Sequence, residues 1–320
     1  MTEQKHYLIA LKILKNLEKK VVTFPLRRQF HFCERIYRIT GRKKYLPPIK
    51  KFLLSSAKDF FLQVKFLGNH EKEKLFGLKI TKWLSASSLL KQKRWQYYNC
   101  YPELKFYQFL TFSLKKFNEY QVSSVLKTSD YQMAISKLKE INWEKYLLDN
   151  EFLFLDPVQG VNQVFWLKKL KITNLISPFI SKLKSIYPPI SNPWSSHLQI
   201  HNLFYSYTHL IIAESDYYQK FVSPKKYHWV LVFLKREAEN IFKLGNLDLI
   251  AEIGCCFKLV KKEKKMIKKI KSLLVKNFNP KIGLINLPNK KPTLIEHANT
   301  LAILVLKKWK KLYPAPKIYI

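Results

Sequence analysis

The chain has 320 residues, with 58 lysines and arginines against 22 acids and a formal net charge of +36. A hydrophobic fraction of 47%, including many aromatics, is enough for a substantial core and excludes general disorder. Its seven glycines are never spaced as G-x-G-x-x-G or a P-loop, which excludes the glycine-rich nucleotide sites and argues against a β architecture with many tight turns.

Taken in order, Tyr7, Leu11, Leu14 and Leu17 share one face of a helix expected over 3–18. After Pro25 the run LRRQFHFCERIYRIT predicts a second helix, stopped by Gly41 and then Pro47-Pro48. A third is expected over 50–66. The span 68–94 carries a weaker helical pattern around Trp83, Leu84, Leu89 and Leu90. Trp95 to Phe117 is rich in aromatics, with Pro102 expected in the first turn of a helix, where proline is tolerated. An amphipathic segment follows over 128–149, with Thr128 and Ser129 as caps.

From here a rhythm sets in. Asp156 is the expected N-cap of an apolar helix with Pro157 in its first turn, and further apolar helices start near 198, 246 and 294, at steps of 42, 48 and 48. More polar helices are expected at about 176–187, 225–244 and 262–277. The last of these turns Met266, Ile267, Ile270, Leu273 and Leu274 inward and leaves its lysines as a solvated rim.

Alternation at a period in the forties is a repeat of helical hairpins. The expected fold class is therefore all-α, in one domain over 1–320, with the clearest repeat in 150–310. The repeat could close as an open solenoid or as an (α/α) toroid. Because the apolar helices keep little polar face for a concave surface, the toroid is favoured.

Four cysteines without CxxC spacing fit a reducing compartment. Lysines interrupt every apolar run of the N-terminus, so it reads as an amphipathic helix and not a signal peptide. Nowhere do eighteen apolar residues follow one another, so no transmembrane segment is expected and the location is taken as cytoplasmic.

The stretches THLIIAESDYYQ, LDLIAEIGCCFKL and EHANTLAILVL resemble, in this order, the T-H-[LI]-I, Y-Y-Q, D-[LV]-I-A-E-[IV]-G and E-H-x-N-x-L-A-I signatures of a family of uncharacterised bacterial helical proteins. The likeness covers the C-terminal half. It implies a shared all-helical, toroid-like fold and no particular activity.

Charged groups on apolar helices are costly to bury, so they call for partners or a purpose. Asp248 and Glu252 are four apart on one helix face and repel each other there. They are either a carboxylate pair for acid/base work, or Asp248 caps the start of its helix, where its charge suits the dipole, while Glu252 pairs with a lysine. His209, Glu252 and His297 come from consecutive apolar helices, and the sharper expectation is that they converge on a central cavity. Cys255 or Cys256 could join the set, whereas Glu296 is assigned to the start of its own helix. With no HExxH and no close ligand pair, no metal or cofactor is assigned.

The candidate acid/base residues are thus Glu252, Asp248, His209 and His297, with Tyr205, Trp166, Tyr217 and Asn299 as substrate-binding residues. Aromatic faces stack on sugars, though at helical spacing they also simply build core. Arg27, Arg28, Arg35 and Arg38 with His31 form the best anion-binding cluster outside the ring, and solvation of a helix surface explains them as well. The expected function is a cavity enzyme acting on a glycan or another polar small molecule. The alternative is a non-catalytic basic scaffold that binds nucleic acid or an anionic membrane surface through its lysines. Lysine supplies nearly all of the positive charge and arginine only seven residues, which weakens the nucleic-acid reading.

Overall fold

The computed structural model describes residues 2–84, 89–122, 127–187, 197–243, 246–286 and 292–319. Over these the chain is all-helical apart from one two-stranded hairpin. The helices run α1 (Glu3–Lys20), α2 (Leu26–Thr40), α3 (Leu46–Phe66), α4 (His70–Thr81), α5 (Leu89–Cys100) and α6 (Pro102–Glu119). Next come α7 (Thr128–Glu140), α8 (Trp143–Leu147), α9 (Asn150–Leu155), α10 (Pro157–Lys169), α11 (Ile176–Ile186) and α12 (His197–Glu214). The chain continues through α13 (His228–Arg236), α14 (Ala238–Lys243), α15 (Leu247–Leu259) and α16 (Lys264–Lys276). Strands β1 (Phe278–Asn279) and β2 (Leu284–Ile285) then pair antiparallel, and α17 (Pro292–Leu306) follows. Among the described residues, no helix is long and apolar enough to cross a membrane.

The alternation of apolar and polar helices is present. Helices α10, α12, α15 and α17 begin at 157, 197, 247 and 292, hence at intervals of 40, 50 and 45, and α11, α13–α14 and α16 fill the gaps. The chain divides into two compact units. Unit one comprises Met1–Phe52 and Ile211–Ala315, and unit two comprises Leu53–Leu210 with Pro316–Ile320.

In unit one, α17 packs against α1, α2, α15 and α16. From Ala298 to Leu306 every residue of it is buried, as an all-round apolar helix requires. Helix α15 is buried at every position except Asp248 and Lys258, near its two ends. Asn246 caps its start, its side chain accepting from the Leu249 N–H at 3.3 Å. Gly254 lets α17 approach, since a Cβ there would lie 2.9 Å from a Val305 methyl. At the other end the Lys258 ammonium donates to the carbonyls of Leu304, Val305 and Lys307, closing the C-terminus of α17. Helix α2 ends where expected, with Gly41 at φ 65° donating its N–H to the Tyr37 carbonyl at 2.8 Å. Only glycine fits there twice over, because a Cβ would also run into the Tyr313 ring.

In unit two, α6 packs against α4 and α10, and α10 against α11. Pro102 is the first residue of α6, as the sequence requires. Asp156 differs from expectation. It occupies the N-cap position of α10 but makes no capping bond. Its buried carboxylate instead accepts from the Tyr98 hydroxyl at 2.8 Å and lies 3.6 Å from Arg94 and 3.8 Å from Lys105. Two cations and a hydroxyl outcompete a backbone N–H for one buried carboxylate. Thr128 and Ser129 likewise do not cap α7, which starts after Lys127.

Candidate functional site

Three elements of unit one bring the polar groups together. Arg28, His31 and Arg35 follow at helical spacing along one face of α2. Asp248 comes from the first turn of α15, and Glu296 and His297 from near the start of α17. His31 Nδ1 lies 3.0 Å from Glu296 Oε1, and His297 Nδ1 lies 2.6 Å from Asp248 Oδ1. The two imidazoles stack, with centroids 4.8 Å apart and planes at 27°. Glu296 is fully buried and also accepts from the Thr300 hydroxyl at 3.0 Å, with Arg28 at 3.6 Å.

These neighbours push the stacked histidines in opposite directions. Burial lowers the His31 pKa to about 3, and Arg35 adds to the shift while Glu296 opposes it. Burial would lower His297 too, but the Asp248 carboxylate and its hydrogen bond outweigh that and raise it above the ordinary value. Glu296 would be raised by burial, yet His31, His297 and Thr300 hold it below the usual carboxylate range. The arrangement holds His31 neutral against the Glu296 carboxylate, while Asp248 biases His297 towards its charged form. Both rings are largely buried, with solvent still reaching 17% of the His31 side chain and 21% of the His297 side chain.

A family model described as "Domain of unknown function (DUF3541)" matches residues 7–319. The chain belongs to this family. No curated protein matches it. No solved structure matches it either. The DUF3541 match takes in α2, α15 and α17, so every group of the histidine cluster falls within the family's span.

Of the residues expected from the sequence of this DUF3541 chain, Asp248, Glu252 and His297 fall in one neighbourhood. Glu252 is buried, and its charge helps to raise His297. Asp248 does not cap α15, since Asn246 does. His209 belongs to unit two, where its Nδ1 lies 3.0 Å from the Asn162 carboxamide oxygen. Tyr205 and Trp166 are also in unit two, with rings against His201 at 4.4 Å and Phe112 at 5.4 Å. Tyr217 sits in a turn of unit one at φ 57°. Asn299 is fully buried, and its carboxamide accepts from the Ile285 N–H at 2.7 Å and donates to the Ile295 carbonyl at 2.9 Å, which ties β2 to α17.

The cysteines do not join the set. Burial pushes the Cys255 thiol up to about 12 and raises Cys256 as well, so both stay protonated and unreactive at neutral pH. Among the described residues, no group of three or more His, Cys, Asp or Glu side chains is placed to hold a metal ion.

His31 and Arg35 entered the sequence reading as part of an arginine cluster outside the ring, either an anion-binding candidate or a solvated helix surface, and Glu296 only as support for its own helix. The 28–31–35 spacing was the available signal for a polar inner face on α2. Its partner, 265 residues away in sequence, carried none.

Proposed function

We propose that this protein is an enzyme that acts on a polar small molecule, a glycan or a related compound, by histidine–carboxylate acid/base chemistry. The observation that carries the reading is the Asp248–His297 pair at 2.6 Å. A carboxylate accepting from Nδ1–H fixes the tautomer and supports the imidazolium, while Nε2 makes no hydrogen bond among the described residues. His297 is then the group that gives a proton to the substrate and takes one back, and Asp248 positions it. Buried Glu252 adds negative charge that favours the imidazolium.

The proposal concerns unit one alone. His209, Tyr205 and Trp166 have no part in it. The recurrence of helix starts at intervals of 40 to 50 residues supports the (α/α) ring expected from the sequence. A cytoplasmic location belongs to the same reading.

The test is a melting-shift screen with monosaccharides, disaccharides and their phosphates, on wild type, His297→Gln and Asp248→Asn. At least one compound is expected to stabilise wild type and to be turned over, with turnover lost in His297→Gln while circular dichroism shows the helices retained. Turnover unchanged in His297→Gln would sink the reading.

The exposed lysines of α16, among them Lys264, Lys265, Lys268 and Lys276, favour a second reading, a basic scaffold for nucleic acid or an anionic membrane. Steep salt dependence of retention on DNA or heparin, removed by neutralising these lysines, would support it.

A further inference from the structure

The arginines of α2 have unequal partners. Arg38 is fully buried, with Glu34 at 3.4 Å and the Tyr313 carbonyl at 3.5 Å. Arg28 has Glu296. Arg35 has neither a carboxylate nor a hydrogen bond among the described residues, and its Nε is shut away from solvent with no acceptor. Its guanidinium lies across the Tyr218 ring, 5.7 Å from the centroid.

The positive charge of Arg35 is felt at both stacked imidazoles. Of the carboxylates near those rings, Glu296 is engaged by His31, Arg28 and Thr300, Asp248 by His297, and the buried Glu252 also acts on His297; none of them forms an ion pair with Arg35 among the described residues. A half-buried guanidinium whose Nε has no acceptor is incompletely compensated, and an arriving oxygen anion would complete it. We propose that Arg35, with His297 beside it, seats an anionic oxygen group of the substrate, a phosphate, a sulfate ester or a carboxylate. The planar guanidinium offers paired donors that match two oxygens of any of these groups, and the Tyr218 face holds that plane in place. This rests on the acid/base reading of the same cluster and narrows its substrate to one that carries an anion.

The experiment titrates inorganic phosphate into the full chain at constant ionic strength balanced with chloride, at a pH where His297 is charged. It is read from the phosphorus resonance and the His297 Cε1 proton. Saturable binding is expected to move the His297 signal. Arg35→Gln weakens it about tenfold, Arg35→Lys weakens it several-fold for want of the fork, and Lys74→Gln at an exposed position of α4 leaves it unchanged. Parallel titrations with sulfate and acetate tell a tetrahedral group from a planar one.

Wild-type binding by both Arg35 variants, unsaturable binding, or an equal loss in Lys74→Gln would overturn the proposal. Where Arg35→Gln does not fold, Arg35→Lys decides. Asp248→Asn separates the two readings. Phosphate binding with an unmoved His297 titration leaves the anion seat standing and removes the acid/base reading. A His297 titration lowered by Asp248→Asn, with no phosphate binding to wild type, does the reverse.

Discussion

His31 and His297 stack at 4.8 Å between centroids, yet each answers to a different carboxylate, Glu296 for the first and Asp248 for the second. The consequence is measurable in proton spectra of labelled imidazoles. His297 is expected to titrate above the ordinary histidine value of about 6.5, and His31 to remain neutral far below it. Coincident titration of the two rings near the ordinary value would contradict the geometry.

The same pair shapes stability against pH. A lowered histidine loses stability as pH falls from about 6.5 towards its folded value, because only the unfolded chain gains the proton. A raised histidine contributes fully below about 6.5 and loses its contribution as pH rises through its folded value. Their joint contribution therefore peaks near the ordinary histidine value, and the lowered Glu296 adds a further loss on stronger acidification. Denaturant melts across pH are expected to show that maximum, with the acid limb flattened in His31→Gln.

Asp248→Asn removes the charge and keeps the shape. We expect it to lower the His297 titration, to cost about 1–3 kcal/mol of stability, and to shift the pH profile of any turnover. A urea melt and a histidine titration of the same sample check both.

Gly254→Ala tests how closely α15 and α17 meet. The added methyl would face Val305 at 2.9 Å and Ile270 at 3.1 Å, both in tight packing. Val305 is branched at Cβ and cannot turn away freely. A loss of about 1–3 kcal/mol is expected from overpacking, read as a lower denaturation midpoint.

In unit two, Asp156→Ala leaves Arg94, Lys105 and Tyr98 without their shared carboxylate. Breaking a buried ion pair on one side costs about 3–5 kcal/mol. Asp156→Asn, which still accepts from Tyr98, is expected to cost less. Equal melts for the two variants would mean that the charge, lost in both, carries the whole effect and the Tyr98 hydrogen bond none of it.

Much of the helical layout was legible in the sequence, because start and stop chemistry acts locally. Pro102 opens α6 and Gly41 ends α2 through backbone rules that need no distant partner. The alternation of apolar and polar helices after residue 156 came from spacing alone. Asp156 shows where local rules end, since three groups remote in sequence claim its carboxylate. The site behaved the same way. Asp248 and His297 stood out as polar groups on apolar helices, but their bond to each other depends on how α15 and α17 pack. His31 and Arg35 looked like surface on a helix rich in arginine, because the helix that covers them lies at the far end of the chain.

That separation shapes how the protein is made. Unit one joins α1 and α2 to helices from the other end, and α17 starts 252 residues after the last residue of α2. At ribosomal speeds of roughly 5–20 residues per second the first two helices wait about 12–50 s for the helix they pack against. Through that interval their apolar faces, with Phe32 and Ile36 among them, have no final partner and are open to chaperones and to aggregation. The stacked imidazoles can meet only once α17 has been made.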